Sequence, residues 1–203
     1  MKITIIGGSQ GTGAHLAALA HQAGHEVTTV SRSGVTPAGT HVVMGNACDP
    51  SVVTEAIAGA DAVVVTVGGA RGVRHHRAAV TQVVVAAMAK TATRRIVVQS
   101  SLGAGDSAKQ LPAFLRPVMK VLLAKPLADH NAQESAVTSA GLDWTFVRPT
   151  GLTNKPGTGA WKALEVTSQE RLGGSIPRVD LAGCLLEILE DNSTIGKALG
   201  VSA

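Results

Sequence analysis

The sequence predicts an α/β fold: a doubly wound parallel sheet with helices on both faces, formed as a single domain. Strand-like and helix-like segments alternate along the 203 residues, and repeated strand–helix units give parallel strands joined by right-handed crossovers. The segment Ala62–Val67 ("AVVVTV") is almost continuously apolar, as expected for a strand in a sheet covered on both faces. A glycine-rich turn, "GGSQGTG", separates the first strand from the first helix.

The first half of the chain supplies five strands and three helices. Runs of β-branched and aliphatic residues predict the strands, and apolar residues at helical spacing, followed by glycine, predict the helices. In order, the segments are strand Lys2–Ile6, helix Thr12–Ala23, strand Val27–Val30, strand His41–Met44, helix Pro50–Ala58, strand Ala62–Val67, helix Arg74–Lys90 and strand Arg95–Gln99.

The second half continues the same alternation with longer connections. Its segments are helix Leu127–Ala140, strand Trp144–Val147, helix Asp180–Leu189 and strand Ala198–Val201. Asp180 precedes an apolar run, as a helix N-cap does. No internal repeat or linker divides the chain, so we expect residues 1–203 to form one domain. Residues of about 103–126 and 150–178 are expected to form a small substrate or lid region.

Composition indicates a well-packed protein of the cytoplasm. Apolar residues make up 45% of the chain and charged residues 16%, which excludes a disordered protein. No apolar window approaches the ~18–20 residues of a membrane span. The N-terminus lacks the apolar core and cleavage site of a signal peptide. We therefore expect a soluble, cytoplasmic protein that does not associate with membranes.

No residue pattern indicates a metal site. Cys48 and Cys184 are far apart and lack the spacing of a disulfide framework or a zinc site. His75 and His76 are adjacent, so on a helix they would point about 100° apart and make a poor pair of metal ligands. We expect them to belong to a solvated basic face.

Positive charge is concentrated in the middle of the chain. Between Arg71 and Lys125 there are ten Lys and Arg residues against one acid, Asp106, whereas the whole chain has a net charge of +4. Such a section suits an anionic cofactor or a nucleic acid. Nucleic acid is disfavoured, because stacking aromatic residues are scarce and no DNA-binding motif is present.

The three glycines of the first turn predict a phosphate-binding loop. Gly7 permits a sharp turn after the strand, Gly11 has no Cβ to keep a phosphate from the backbone, and Gly13 lets the helix pack closely on the strand. The amides and positive dipole end of the helix then face the phosphates. The spacing is G-x-x-x-G-x-G, and its position between a strand and a helix supports a dinucleotide site over a turn without a ligand.

The end of the second strand predicts the preferred dinucleotide. NAD-specific sites carry an acid there that accepts hydrogen bonds from the ribose 2′-hydroxyl. This chain has Ser31, Arg32 and Ser33 instead. A guanidinium pairs with a 2′-phosphate, so the sequence favours NADP(H) over NAD(H). The alternative is that Arg32 is an ordinary solvated residue at a strand end.

These motifs resemble the short-chain dehydrogenase/reductase superfamily and its NAD(P)-binding Rossmann fold. The resemblance is stronger to the atypical branch of flavin/biliverdin-IXβ reductases and nitrogen-metabolite-repression regulator-like proteins. It covers nearly the whole chain and rests on "GGSQGTG", "TVSRS", "GNACDP", "VVVTVGG", "RIVVQSSLGAG", "GLDWTFVRPTGLTN" and "IPRVDLAGCLLEILED". These motifs are specific for the fold and cofactor, and much less so for the substrate.

The resemblance implies cofactor contacts at the carboxyl ends of the strands. Asp49 would bind the adenine amine, although the family often has an acid where this chain has Asn46. With the glycine turn, the residues expected to bind the cofactor are Gly7, Ser9, Gln10, Gly11, Thr12, Gly13, Arg32, Ser33, Asn46, Ala47, Asp49, Thr66, Val67, Gly68, Ser100, Pro149, Thr150 and Gly151.

The usual catalytic pair of the superfamily, a Tyr with a Lys four residues on, is excluded because the chain has no Tyr. His130 stands where atypical relatives commonly have Lys, and it shares a helix face with Glu134. A His titrates near neutrality and is a candidate general acid or proton relay; the alternative is a structural His. Ser101 is a candidate for positioning nicotinamide or substrate, with strand-end capping as its alternative.

Together these features predict an NADP(H)-dependent oxidoreductase that reduces a flavin, a quinone-like molecule or another small conjugated acceptor. Flavin reduction needs no protein acid, because the cofactor carries the hydride chemistry. The alternative is a catalytically silent NADP(H) sensor that acts through a protein partner, to which the proline-broken stretch 111–127 is a candidate contact. An epimerase or dehydratase of nucleotide sugars is disfavoured. The chain is expected to be a monomer or a homodimer.

Overall fold

The computed structural model describes residues 1–70, 72–111, 116, 121–168 and 170–203. Its main element is an eight-stranded sheet with strand order β3-β2-β1-β4-β5-β6-β10-β8, and a second sheet pairs β7 with β9. The strands are β1 (Lys2–Ile6), β2 (Glu26–Ser31), β3 (His41–Met44), β4 (Ala62–Val65), β5 (Arg95–Gln99), β6 (Asp143–Pro149), β7 (Gly151–Thr153), β8 (Lys162–Glu165), β9 (Ser175–Pro177) and β10 (Lys197–Ser202).

Five α-helices whose bounds lie within the described residues connect these strands. They are α1 (Gly11–Gln22), α2 (Pro50–Ile57), α3 (His76–Met88), α4 (Ala124–Thr138) and α5 (Arg178–Glu190), with short 3₁₀ turns at Ser107–Gln110 and Asn192–Thr194. All neighbours from β3 to β10 pair in parallel, and β8 alone pairs antiparallel, with β10. The chain order reverses beside β1, between β1 and β4, which is the switch point where open α/β sheets bind ligands.

Two apolar layers hold the helices on the sheet, one on each face. One layer joins α1 and α5 to the sheet and includes Leu16, Leu181 and Val97. The other joins α2, α3 and α4 to the opposite face and includes Ile57, Val84 and Val137. Alternate residues of β5 serve the two layers, since Ile96 and Val98 belong to the second and Val97 to the first. The predicted doubly wound fold is therefore confirmed.

Three short strands were not predicted from the sequence: β7, β8 and β9. The strands β7 ("GLT") and β9 ("SIP") pair in parallel over three residues each. Together with β8 they lie within the connection 150–178, which was expected to form part of a substrate or lid region. Strands of this length carry too few residues to show a periodic pattern.

Two local predictions are wrong. Asp180 does not cap the last helix, because α5 begins two residues earlier, at Arg178, after Pro177 at the N-cap. The Asp180 carboxylate instead accepts hydrogen bonds from Thr158 and Gly159. His75 and His76 are not successive helical residues, because His75 precedes α3 with a left-handed φ of 53°.

The two segments expected to form a lid contact one another. Leu111 from the first segment and Leu102, just before that segment, pack with Leu172 from the second in a small apolar cluster. Gln110 donates from Nε2 to the carbonyls of Leu164 and Glu165 at 3.2 and 3.1 Å. The role of these segments over a substrate stays a prediction. Part of the proline-broken stretch 111–127, residues 112–115 and 117–120, lies outside the described residues.

The basic middle section is dispersed across the fold. Arg77 pairs with Asp129, Arg94 pairs with Asp143, and Arg95 is buried. Arg116 donates to backbone carbonyls nearby. Searching the described residues for a helix with the length and hydropathy of a membrane span finds none.

Candidate cofactor-binding site

The glycine turn between β1 and α1 has the geometry expected of a phosphate-binding loop. Gly7 adopts a φ of 96°. A Cβ at Gly13 would lie 2.2 Å from the carbonyl oxygen of Gly7, so the helix packs directly on the strand end. The N-cap residue, Gln10, makes no capping hydrogen bond with its side chain, and the first turn of α1 contains no acid. The amides of Gly11 and Thr12 therefore begin a helix that no side chain caps.

The ends of β2 and β3 lie side by side. The amide of Gly45 donates to the Ser31 carbonyl at 3.0 Å, so Arg32 and Ser33 are neighbours of the turn that contains Asn46 and Ala47. Arg32 and Ser33 are exposed. Of the ion pairs between described residues, none includes Arg32. Arg32 therefore lies at the end of β2 without an ion-pair partner among the described residues, and its contact with a 2′-phosphate stays a prediction.

Asp49, expected to contact adenine, is the N-cap of α2. Its Oδ1 accepts hydrogen bonds from the hydroxyl and the amide of Ser51, at 2.7 and 2.9 Å. These bonds stabilise the carboxylate and lower the pKa of Asp49. Asn46 Oδ1 accepts the amide of Cys48 at 3.0 Å, which fixes the turn before the helix. Adenine contacts at this turn stay a prediction.

Residues after β4 lie directly against the glycine turn. Thr66 Oγ1 is 3.3 Å from the carbonyl oxygens of both Ile6 and Gly7. A Cβ at Gly7 would be 3.0 Å from the amide nitrogen of Val67. Gly68 has open space on its side-chain side. The structure therefore brings the predicted residues after β1 and β4 together at the switch point of the sheet.

Unpaired hydroxyl groups mark the ends of β5 and β6. The Oγ of Ser100 and the Oγ1 of Thr150 are buried and make no hydrogen bond to any described residue, as is also true of Thr153 Oγ1. Backbone bonds hold these strand ends together, since the Ser100 amide donates to Val147 and the Thr150 amide donates to Val201. Buried polar atoms normally have partners, so this edge of the sheet is suited to a polar ligand.

Ser101 and His130 occupy separate environments. Ser101 Oγ has only a 3.4 Å contact to the carbonyl of the next residue, Leu102. His130 lies on α4, only 6% exposed, with its Nδ1 3.3 Å from Gln133 Oε1. Gln133 in turn donates to Thr81 of α3 at 3.0 Å. No hydrogen bond between described residues joins Ser101 to His130.

The predicted titration of His130 near neutrality is wrong. Burial, reinforced by the positive charge of Arg77, lowers the pKa of His130 to about 4. Gln133, Asp129 and Glu134 oppose this shift without cancelling it. His130 is therefore an uncharged group at neutral pH, and its catalytic role stays a prediction.

Among the described residues, Glu134 makes no hydrogen bond to His130, and its carboxylate binds Arg148. The Nε and Nη2 atoms of Arg148 donate to the two Glu134 oxygens at 2.9 and 2.7 Å, and Nη1 donates to Asp106 at 2.8 Å. Burial alone would lower the pKa of Arg148, but the two carboxylates outweigh it and raise the pKa. The sequence does not reveal this cluster, because its members come from three distant segments.

A cavity of about 490 Å³ lies beside this cluster, away from the glycine turn. Trp144 and Phe146 of β6, whose rings stack with centroids 4.4 Å apart, form part of its lining, with Glu165 and Lys197 at another side. None of the residues predicted to bind the cofactor lines it. The strand ends, rather than this cavity, are therefore the candidate cofactor site.

Sequence reasoning missed one residue at the glycine turn, Arg178. A Cβ built at Gly11 would lie 3.5 Å from both Cδ and Nε of Arg178. Its Nη1 donates to Asn154 Oδ1 at 2.7 Å. The motif "IPRVDLAG" contains this residue, but nothing in the sequence indicates that it meets a turn so far away in the chain.

The site and fold define an NAD(P)H-binding protein. The family model for NAD(P)H-binding proteins matches residues 7–192, so the chain belongs to this family. The match spans the glycine turn, the ends of the parallel strands and helix α5.

Similar proteins include enzymes of more than one described class. A Bacillus subtilis (strain 168) protein named "Uncharacterized sugar epimerase YhfK" is 28% identical, over 100% of this chain and 94% of that one. ChuY, an anaerobillin reductase from Escherichia coli O157:H7, has a TM-score of 0.81 at 26% identity, covering 99% of this chain and 96% of that one. A wide-type short-chain dehydrogenase/reductase from Veillonella parvula DSM 2008, in complex with NADP, has a TM-score of 0.83 at 18% identity, covering 100% and 94%.

Proposed function

We propose that this protein is an NADP(H)-dependent reductase of a small conjugated acceptor, such as a flavin or a quinone-like molecule. The observation that carries the proposal is the carboxyl edge of the sheet. An uncapped helix start at Gly11 lies at the same edge as the buried, unpaired hydroxyls of Ser100 and Thr150. A dinucleotide that crosses this edge would satisfy both groups, with its diphosphate at the helix and its nicotinamide at the hydroxyls.

The residues at this edge fit an NADP(H) molecule. Gly7 and Gly13 fix the turn and its contact with Thr66, and Arg32 offers an exposed guanidinium with no acid beside it. A guanidinium binds a phosphate through paired, charge-assisted hydrogen bonds. The strand end carries no acid to repel the 2′-phosphate, which supports NADP(H) over NAD(H).

The reduced nicotinamide supplies the hydride, and the protein supplies binding and orientation. In the proposal, Ser100 and Thr150 hold the carboxamide of the nicotinamide, and Ser101 positions the acceptor. His130, uncharged at neutral pH, serves only as a hydrogen-bond partner or relay. The proton of the reaction then comes from water. Reduction of a flavin or a quinone does not require a dedicated protein acid to supply it.

The name of the Bacillus relative raises sugar epimerisation as another activity. That relative is matched over 94% of its length, so little of it lies outside the match. The superfamily resemblance nevertheless implies that an epimerase uses a catalytic pair of Tyr and Lys. This chain contains no Tyr. The anaerobillin reductase activity named for ChuY supports a reductase instead.

A catalytically silent NADP(H) sensor is the second candidate. One observation favours it: the two predicted catalytic residues share no hydrogen bond among the described residues, and His130 is buried and uncharged at neutral pH. A sensor requires the same cofactor site as a reductase. The two candidates therefore differ in turnover and not in binding.

Calorimetric titration with NADPH and NADH tests the cofactor assignment. Arg32→Ala is expected to lower NADPH affinity by about tenfold or more, because it removes charge-assisted hydrogen bonds, and to leave NADH affinity unchanged. Arg94→Ala is the matched control, since Arg94 is exposed at the opposite edge of the sheet. If neither dinucleotide binds the folded protein, the proposal is wrong.

Turnover then separates the reductase from the sensor. NADPH oxidation would be followed by absorbance with flavins, quinones and linear tetrapyrroles as acceptors. Turnover that falls in Ser101→Ala supports the reductase. Tight binding of NADPH without oxidation in the presence of every acceptor supports the sensor.

A further inference from the structure

Arg178 lies over the start of helix α1. Although 167 positions later in the chain, it comes within 3.5 Å of where a Cβ of Gly11 would be, through both Cδ and Nε. Arg178 is the first residue of α5, and its side chain is half-buried. The starts of two helices, one carrying a guanidinium, therefore meet at the glycine turn.

The charge of Arg178 has no acidic partner among the described residues, because none of their ion pairs includes it. Its one hydrogen bond in the described structure goes to a neutral amide, Asn154 Oδ1, at 2.7 Å. The nearest acid in sequence, Asp180, has both oxygens engaged by Thr158 and Gly159. A guanidinium has five N–H donors, so most of those of Arg178 are available to an anion.

We propose that Arg178 binds the diphosphate of the dinucleotide together with the amides at the start of α1. This inference rests on the proposed function and adds a binding residue to it. Two independent features point to an anion here: a helix start that no side chain caps and a half-buried cation without an acid. Each favours negative charge at the same place.

Arg178 also ties the diphosphate to a segment of the predicted lid, residues 154–159, which we call the strap. Arg178 holds Asn154 at one end of the strap. Asp180 holds the other end, accepting the Thr158 amide at 2.8 Å and the Gly159 amide at 3.1 Å. The first turn of α5 thus anchors the strap twice. In this proposal, a diphosphate bound at Arg178 also makes the strap more ordered, so the strap moves less when the cofactor is bound.

The diphosphate is common to NADH and NADPH, so substitutions of Arg178 and of Arg32 are expected to change the affinities for these two dinucleotides differently. Arg178→Gln is expected to weaken both dinucleotides by the same factor, about tenfold or more, because charge-assisted hydrogen bonds are lost. Arg32→Ala weakens NADPH alone. Arg178→Lys keeps the charge without the planar fork of donors, and it is expected to recover part of the affinity.

Calorimetry with four probes tests the inference: NADPH, NADH, ADP-ribose and adenosine 2′-monophosphate. Arg178→Gln is expected to weaken the first three equally and to leave the last, which has no diphosphate, unchanged. Arg171→Gln, at an exposed arginine of the same connection, is the matched control. Equal affinities in the parent and Arg178→Gln overturn this inference and leave the proposed function standing. A parent that binds none of the probes overturns both.

Hydrogen exchange separates binding from a merely structural role. NADP⁺ is expected to slow exchange of the amides of the strap, residues 154–159, in the parent, and to slow it much less in Arg178→Gln at a concentration that saturates the variant. Unfolding curves and circular dichroism of the variant show whether it is folded. If saturating NADP⁺ protects the strap equally in both proteins, the coupling through Arg178 is overturned.

Discussion

Buried polar side chains at the two edges of the main sheet differ in how many internal hydrogen bonds they make. At the amino edge, Arg95 donates to the Asp143 and Ile188 carbonyls and to the hydroxyls of Thr145 and Thr194, at distances from 2.7 to 3.1 Å. At the carboxyl edge, hydroxyls such as that of Ser100 have no partner. The amino edge therefore stabilises the protein through its own bonds, whereas the carboxyl edge is left ready for a ligand.

The two buried arginines of the sheet extend this comparison. Burial lowers the pKa of Arg95, and its neighbouring acids only oppose that shift. Arg148, near the carboxyl end of β6, has its pKa raised because Glu134 and Asp106 outweigh the effect of burial. Arg148 donates from all three guanidinium nitrogens. Arg95 donates from Nη1 and Nη2, and its buried Nε has no partner among the described residues. Neither is available to a phosphate, so anion binding must rely on less buried arginines such as Arg32 and Arg178.

The largest expected effect follows from breaking the pair of Glu134 and Arg148. Their side chains are only 8% and 5% exposed. Glu134→Ala leaves a buried guanidinium with one remaining acid, and it is expected to lower the free energy of unfolding by about 3–5 kcal/mol. Asp106→Ala is the matched control. The Asp106 side chain is 63% exposed, so its loss is expected to cost less than about 1 kcal/mol.

Chemical denaturation in urea measures both variants. Similar losses for the two would show that exposure does not decide the strength of these ion pairs. A large fall in NADPH affinity of the folded Glu134→Ala protein would break the comparison, because it would give Arg148 a role at the ligand edge.

The pH dependence of stability tests whether His130, a predicted catalytic residue, is a buried structural group or a group that serves the ligand. Its pKa is about 4 in the folded protein and about 6.5 in an unfolded chain. As pH falls from about 6.5 to about 4, the unfolded state takes up the proton first, so stability is lost over this window and is fully present above it. Between pH 7.5 and 5 the loss from His130 is expected to be about 2 kcal/mol.

Urea unfolding of the parent and His130→Gln at both pH values isolates this contribution. The variant is expected to be less sensitive to pH by that amount, because glutamine does not titrate. A His130→Gln variant that unfolds with the same pH dependence as the parent would contradict the buried, uncharged state of the imidazole. Loss of turnover without loss of stability would instead place His130 among the groups that serve the ligand.

Most of the fold could be predicted because its determinants are local. Strands β1, β3 and β5 have the predicted bounds, since runs of β-branched residues are recognisable without their neighbours. The glycine turn was recognisable for the same reason. By contrast, β7 and β9 are three residues long and exist because they pair with each other, which no local pattern records.

Part of the site could also be predicted from the sequence, and part could not. Residues at strand ends follow from the fold, because the carboxyl ends of parallel strands meet at one edge. The contact between Gly11 and Arg178, and the pairing of Glu134 with Arg148, join segments distant in sequence. The low pKa of His130 depends on its burial between helices, and a sequence position alone does not show burial.

The smallest expected effect compares one hydroxyl from each edge. Ser100→Ala removes a buried hydroxyl without a partner, so the ligand-free protein is expected to be unchanged or stabilised by up to about 1 kcal/mol. Thr145→Val removes a buried hydroxyl that donates to the Thr194 carbonyl at 2.8 Å and accepts from Arg95 at 2.7 Å. This variant is expected to lose about 1–2 kcal/mol of unfolding free energy.

For NADPH affinity, the larger effect is expected from Ser100→Ala and the smaller from Thr145→Val. Ser100→Ala is expected to weaken NADPH about fivefold, the equivalent of one neutral hydrogen bond of about 1 kcal/mol, whereas Thr145→Val leaves it unchanged. Urea unfolding and calorimetry on the two variants give all four values. If Ser100→Ala destabilises the ligand-free protein as much as Thr145→Val does, the Ser100 hydroxyl has an internal partner, and the distinction between the two edges is lost at that position.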